Sequence, residues 1–531
     1  MQINSFVNAI HQSLIARDRG LHSLILSILV AIIVGLALYP MMNRSLWVDE
    51  AMLFRNYPIE NIGAIFSPLR YYDQAATPLY SLFASLIAPL DISTGRYTST
   101  IFIISSVVWL LIFGRSSPIT ISIAFLGVFA FFNPLLMYSE FKHYGFEVIG
   151  VSISIRWFLF KNNTDKLNAK DLFFLTSSLI FGISTLITSA VAICVFLLTR
   201  YFNERKLNRN DYIYFFCFLC VAIAYYLLIK RVTVFQIENY VDAYNNKGIF
   251  GNLKALLGAG LGVVGKGGLA VLFIATVLLL TAPKDVQIQR LLLLSVATAL
   301  AFMAASALGL YPATNARHMN WSAGFYVAFV FYGLKGNINY KGFSKPLTIF
   351  LITLLFVAAA LNIFKIYRNG TENTENNLAI SFIRSLPPSN VGLWIGGQPV
   401  IEYYKKIYPD LSKHSYFGLV NVESEKIDTK NQIPQFNDYA FSEMKNNKGA
   451  WGKMVIFRIM NDFSIPARSL LKELSQSKDF YILASHYDIQ AENGYSKMRV
   501  IALHEEMKKE NCSFIVVKQL INVSIYRVTC V

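Results

Sequence analysis

Apolar runs of roughly 17–22 residues recur along the first two thirds of the chain, and that is the length a helix needs to cross the hydrocarbon core of a bilayer. This repetition restricts the chain to a bundle of membrane helices before any single side chain is weighed. The charge content agrees. Asp, Glu, Lys and Arg make up 15% of the residues and hydrophobic types 54%, whereas soluble globular chains carry about 25% charged residues. A cytosolic enzyme, a disordered chain and a fibrous protein are excluded.

Eleven crossings are expected, at 21–40, 97–114, 118–134, 145–160, 171–187, 189–201, 212–230, 267–283, 290–310, 322–335 and 347–366. Arg17 and Arg19 precede the first run and no small-residue cleavage site follows it. It reads as an uncleaved signal anchor with a cytoplasmic N-terminus. Every second loop is short and basic, carrying Arg115, then Lys161, Lys166 and Lys170, then Arg200, Arg205, Lys206 and Arg209, then Lys284 and Arg290, then Lys335, Lys341 and Lys345. Cytoplasmic loops show this bias. The other loops, at 41–96, 135–144, 231–266 and 311–321, are then external. Residues 78–90, bounded by Pro78 and Pro89, and the glycine-rich 251–266 would break the alternation as single spans. They read as helices lying along the outer surface.

The composition changes after Arg368, which separates a membrane domain, 1–369, from a soluble domain, 370–531. The second segment shows short apolar runs (VGLWIG, KMVIFRI, FYILAS, SFIVVKQL) alternating with helix-like stretches (PVIEYYKKIY, PARSLLKELSQ). That alternation predicts a small α/β domain, and an odd number of crossings makes it extracytoplasmic. Its acids and bases nearly cancel, so almost all of the net charge of +16 lies in the membrane portion. Such a balance suits anionic lipid and phosphate. The bases are dispersed among hydrophobic spans, so nucleic acid is not an expected partner. Cys194, Cys217 and Cys220 lie in apolar runs and read as small hydrophobes. Cys512 and Cys530 fall on two expected strands and can pair in an oxidising compartment.

Three external loops hold the residues with chemical capacity. SLWVDEAMLFRNYP places Asp49 and Glu50 just beyond the first span, where a partly desolvated acid can act as a base. NPLLMYSEFKHYGFEV carries a second acid, Glu140, followed by Lys142, His143 and Tyr144, with Glu147 further on as a wall residue or ion-pair partner. LYPATNARHMNW ends on Arg317 and His318; a guanidinium can grip a phosphate with two hydrogen bonds and keeps its charge.

SLWVDEA followed by ATPLYSL resembles the opening of the GT-C membrane glycosyltransferases, in particular their protein-mannosyltransferase and aminoarabinose-transferase-like branch. The acidic loop at 133–148 and NARHMNW are similar to two further loops of that family, and the likeness covers about residues 1–340 through three short motifs. Lys142 stands where the family usually has Arg, Thr77-Pro78 where it has Pro-Pro, and His318 where an aromatic is common. The resemblance implies a GT-C-like bundle, Asp49 as catalytic base with Glu50 and Glu140 as further catalytic acids, and Arg317 on the donor phosphate. Lys142, Tyr144 and His318 complete the substrate-binding set. It also implies a sugar donor linked to polyprenyl phosphate, a glycan, lipid or protein acceptor, membrane lipid around the spans, and a bacterial inner or plasma membrane location. No cofactor is required; a divalent metal at Asp49 and Glu140 is compatible with the chemistry without being demanded by it. The alternatives are an O-antigen-type polymerase or ligase, which does not need the acidic pair after the first span, and a transporter, which keeps its polar groups near the middle of the membrane.

Two signals are set aside. Gly260, Gly262 and Gly265 have dinucleotide-loop spacing, but that motif needs a preceding strand, and close helix packing by small residues explains them better. His414, His486 and His504 are scattered through the C-terminal domain and read as surface residues.

Overall fold

The computed structural model describes residues 20–54, 56–59, 62–67, 69, 76–87, 90–112, 123, 126–131, 135, 137, 139–162, 165–239, 248–281, 285–312, 317–337, 344–369, 375–418, 464–485 and 495–531. Most of the expected span 118–134, the run KMVIFRI and His486 lie outside these residues. Two compact units emerge: Met1–Met42, Ala76–Phe83 and Leu90–Gly370 form one, and Asn43–Ala75, Ala84–Pro89 and Thr371–Val531 form the other.

In chain order the helices up to residue 369 are α1 (Gly20–Ala37), α2 (Tyr39–Met42), α3 (Val48–Phe54), α4 (Pro78–Ile87), α5 (Ile92–Ile112), α6 (Tyr144–Phe160), α7 (Ala169–Leu179), α8 (Ile183–Glu204), α9 (Arg209–Asn239), α10 (Gly248–Thr281), α11 (Val286–Ala307), α12 (Ala323–Asn337) and α13 (Ser344–Asn369). Among the described residues, five stretches are long and apolar enough to cross a membrane: Ile183–Glu204, Arg209–Val234, Leu253–Thr281, Val286–Ala307 and Pro346–Tyr367. Large apolar side chains on them face outward, among them Leu198, Leu227, Leu280, Leu300 and Phe364. An apolar surface of that extent needs lipid against it, and the protein is an integral membrane protein.

The bundle closes through small residues. A side chain at Gly150 of α6 would put its Cβ 2.3 Å from Thr185 Cγ2 and 2.8 Å from Phe181 Cβ, so α6 and α8 cross at near backbone contact. Beside this crossing the buried hydroxyls of Ser154, Ser189 and Ser178 form a chain with both O–O distances 2.7 Å, which joins α6, α8 and α7.

The expected surface helix at 251–266 and the expected span at 267–283 turn out to be two halves of α10. They are separated only by Gly265, whose φ of 71° breaks the helical path. A left-handed φ is open to glycine at little cost, which is why the apolar run could not show where the helix bends. Gly260 and Gly262 lie inside α10, so the dinucleotide reading fails. The close approach in this helix comes instead at Gly268, where a Cβ would sit 2.7 Å from the Phe131 ring.

Several bases that read as loop charges have structural partners. Lys161 Nζ donates to Asp171 at 2.8 Å and to the Lys166 carbonyl at 2.8 Å, and Asp171 also accepts from the Trp157 indole at 3.0 Å. Asn168 caps α7 in a reciprocal capping box with Asp171. Arg200 lies 3.4 Å from Asp211, and that carboxylate accepts the Leu167 and Asn208 backbone N–H groups at 3.0 and 2.9 Å. Lys161, Asp171, Arg200 and Asp211 are all buried.

In the second unit the described elements after residue 370 are α14 (Asn376–Ser385), β1 (Asn390–Ile395), α15 (Gly397–Ile407), β2 (Ser415–Phe417), α16 (Ser464–Leu474), β3 (Asp479–Ser485), α17 (Tyr495–Lys509), β4 (Cys512–Leu520) and β5 (Val523–Cys530). The sheet order is β2-β1-β3-β5-β4, with β1 parallel to both β2 and β3, and β5 antiparallel to both β3 and β4. The core gathers Trp394, Leu470, Leu471, Phe480, Ile482, Leu503 and Tyr526. Cys512 and Cys530 face each other in the β4–β5 register and form a disulfide. His414, expected at the surface, is buried; it packs 6.1 Å from the Tyr416 ring.

Residues of the first expected external loop belong to this same unit. Asn376 donates to the Leu46 carbonyl at 2.7 Å and accepts from Ser485 at 2.7 Å, while the Asn377 N–H donates to Ser45 at 2.9 Å. Tyr403 of α15 meets Phe54 of α3 edge to face at 5.3 Å.

Candidate active site

Tyr80, from the ATPLYSL segment, lies fully buried beneath the second acidic loop. Its ring packs on Phe141 at 5.7 Å, His143 at 6.2 Å and Phe146 at 5.3 Å. This aromatic bed fixes the turn in which the Lys142 N–H donates to the Glu140 carbonyl at 2.8 Å, just before α6 begins. Glu140 and Lys142 are both buried there.

The Arg-bearing loop reaches the same place from far away in the sequence. Asn320 donates to the Tyr144 carbonyl at 3.3 Å, and the His318 ring meets Tyr144 edge to face at 5.8 Å. Tyr311 donates to the His318 carbonyl. Lys142 Nζ sits 5.9 Å from the centre of the Tyr144 ring, which adds a cation–π contact. Lys142, His143, Tyr144, Arg317 and His318 therefore form one basic and aromatic patch.

Electrostatics keep both imidazoles neutral. Burial, then the charge of Lys142, then His318 lower His143 from 6.5 to about 3. Burial, then Arg317, then Lys142 lower His318 to about 4. At neutral pH the patch thus holds two fixed cations and two neutral rings. The neutral rings add no positive charge of their own beside Lys142 and Arg317, whose charge has the sign a phosphate needs.

Below the patch, in the first turn of α6, Glu147 accepts a hydrogen bond from Ser184 at the start of α8. Gly182, at φ 143°, lets that chain reversal pass close by; a Cβ there would stand 3.0 Å from Thr77 Cγ2 and 3.1 Å from Glu147 Cγ.

In the other unit, the acidic pair of SLWVDEA opens α3. Trp47 occupies the N-cap position and its N–H donates to Glu50 Oε2 at 3.4 Å, the weak half of a capping box. Glu50 is fully buried, which gives it a structural task besides any catalytic one. The backbone of Asp49 is in the first turn of α3, where a negative charge is favoured; its side chain lies outside the described residues. Among the described residues no three His, Cys, Asp or Glu side chains gather into a metal site.

No family model matches the sequence, and no curated protein matches it. Solved structures do. The crystal structure of ArnT from Cupriavidus metallidurans bound to undecaprenyl phosphate superposes with a TM-score of 0.52 at 10% identity, over 95% of this chain and 97% of that one. The same protein in the apo state gives a TM-score of 0.51 at 8% identity, over 94% and 97%.

The chain has the fold of ArnT. The likeness is one of fold, at a level of identity where sequence comparison fails. Of the expected site residues, Lys142, Tyr144, Arg317 and His318 come together, with Glu140 at the root of their turn, while Asp49 and Glu50 sit on α3. His143, named in the sequence beside Lys142 and Tyr144 but not assigned to the site, joins the patch. It lay between two selected residues, but nothing in its spacing announced contact with Tyr80 or an electrostatic link to His318.

Proposed function

We propose that this chain is a membrane glycosyltransferase that moves a sugar from a polyprenyl-phosphate donor to an extracytoplasmic acceptor, a glycan, lipid or protein. The observation that carries the reading is the basic patch of Lys142, Arg317, Tyr144 and His318, on a chain whose fold matches that of a protein crystallised with undecaprenyl phosphate. Lys142 and Arg317 bind the donor phosphate and take up the charge that collects on it as the glycosidic bond breaks. Asp49 accepts the proton of an acceptor hydroxyl, that oxygen attacks the anomeric carbon, and polyprenyl phosphate departs. A single displacement inverts the anomeric centre. Glu50 and Glu140 are assigned as further acids of the reaction, and the displacement itself needs no metal. The disulfide between Cys512 and Cys530 favours an oxidising, extracytoplasmic location for the C-terminal domain.

Asp49→Asn tests this. General base catalysis is worth ~10²–10⁴ in rate, so the variant should insert, bind undecaprenyl phosphate as the wild type does, and lose transfer by that factor. Transfer at the wild-type rate would remove Asp49 from the mechanism.

A further inference from the structure

A small cavity opens among α4, α6, α8 and α9, with about 50 Å³ of enclosed space. Thr77, His143, Glu147, Tyr225, Thr233 and Gln236 supply its polar lining. Two of these groups are held ready for a guest. Among the described residues the hydroxyls of Thr77 and Tyr225 are buried without a hydrogen-bond partner, and a buried hydroxyl left so costs about 1–3 kcal/mol. Glu147 adds a carboxyl at the edge of the membrane bundle, bonded to Ser184. An ionisable residue in that setting is expensive and marks function more often than packing.

The cavity touches the patch through one residue. His143 lines the cavity and is flanked in sequence by Lys142 and Tyr144, which build the patch. A group covalently attached to a phosphate held at Lys142 and Arg317 would reach this cavity first. Its size admits a hydroxyl-bearing edge of a sugar ring rather than a whole ring, and its chemistry sets what that edge can be. Among the described lining residues Glu147 is the one acid, His143 is neutral, and there is no Lys or Arg.

Resting on the proposed function, we infer that this cavity receives the hydroxylated edge of the donor sugar and discriminates against sugars carrying a carboxylate. Tyr225 and Thr77 donate to or accept from ring hydroxyls, and Glu147 accepts from one. A uronic acid would bring a carboxylate out of water into this lining, which among the described residues offers no Lys or Arg to offset it, and burying a charge so is costly.

The test uses the full chain in lipid nanodiscs and measures dissociation constants for undecaprenyl phosphate alone and for undecaprenyl phosphate carrying glucose, mannose, galactose or glucuronic acid. The wild type should bind its best neutral sugar lipid more tightly than the sugar-free lipid, and the glucuronosyl lipid more weakly than that neutral one. Tyr225→Phe should weaken the neutral sugar lipid about 3–10-fold, the worth of one hydrogen bond, and leave undecaprenyl phosphate unchanged. Thr77→Val should likewise weaken the neutral sugar lipid and leave undecaprenyl phosphate unchanged. Equal changes for sugar-bearing and sugar-free lipids would show a merely structural effect and overturn the inference. So would variants that bind every lipid like the wild type, while the proposed function stands on phosphate binding alone. A wild type that binds none of these lipids overturns both.

Discussion

Removing the two cations of the patch one at a time makes the sharpest test of donor binding, because their burial differs. Lys142 is 5% exposed, whereas Arg317 is only half-buried. A charge-assisted hydrogen bond to phosphate contributes about 1.5–3 kcal/mol, a factor of roughly 10–150 in the dissociation constant. Two unit charges 4 Å apart attract by about 4 kcal/mol at an effective dielectric near 20 and about 1 kcal/mol in bulk water. Lys142→Gln should therefore fall at the upper end, about 100-fold weaker for undecaprenyl phosphate, and Arg317→Gln at the lower end, about 10-fold. Salt separates them further. Raising sodium chloride from about 0.1 to 1 M shortens the screening length from about 10 to 3 Å. The Arg317 effect should shrink across that range and the Lys142 effect persist. Lys142→Arg keeps the charge and should retain most binding. The assay is titration of the nanodisc-embedded protein with undecaprenyl phosphate at both salt concentrations. A larger loss from Arg317→Gln than from Lys142→Gln, or equal salt sensitivity of the two, would refute the assignment of the buried lysine as the principal phosphate group.

His143 and His318 should make the protein acid-labile. Their native values, about 3 and about 4, lie below the unfolded value of 6.5, so between roughly pH 6.5 and 4 the unfolded state binds more protons and stability falls with pH; melting curves should show this, and His318→Asn should flatten the slope without abolishing it. Asp211→Asn removes one member of a buried ion pair, a change that costs about 3–5 kcal/mol, and it should lower the melting temperature in detergent while leaving undecaprenyl phosphate affinity intact.

The long helices α9, α11 and α13 were legible because each holds an apolar run of membrane length, whereas the expected span 171–187 divides between α7 and the start of α8; the strands of the C-terminal domain were legible because short β-rich runs alternate with amphipathic ones. The Cys512–Cys530 pair was legible as two strand residues. The limits follow from what a linear pattern encodes. A run of small and apolar residues does not reveal where one glycine takes a positive φ, so α10 read as two unrelated helices. Lys161 and Arg200 read as topological charges because loop position alone does not disclose a carboxylate on the next helix. The patch was legible residue by residue through its motifs, but the meeting of Tyr144 with His318 and Asn320 depends on helix packing between loops far apart in sequence. Tyr225 carried no signal: an aromatic in a span is ordinary, and only the cavity around its hydroxyl singles it out.

Helix α6 shows how one bundle can treat buried charge in two ways. At its C-terminal end Lys161 is matched to Asp171, and nearby Arg200 to Asp211, with backbone groups completing each carboxylate. Charge there is neutralised on the spot, and the result is a fixed junction between helices and loops. At its N-terminal end Lys142 lies against the Tyr144 ring and Tyr144 against His318, and burial, helped by the charges of Lys142 and Arg317, keeps both imidazoles neutral. A cluster designed for stability alone would let a histidine share the burden by pairing with a carboxylate. Two neutral rings add nothing to the positive charge of Lys142 and Arg317, and the cost is stability at acid pH, where the unfolded chain takes up protons that the native rings refuse.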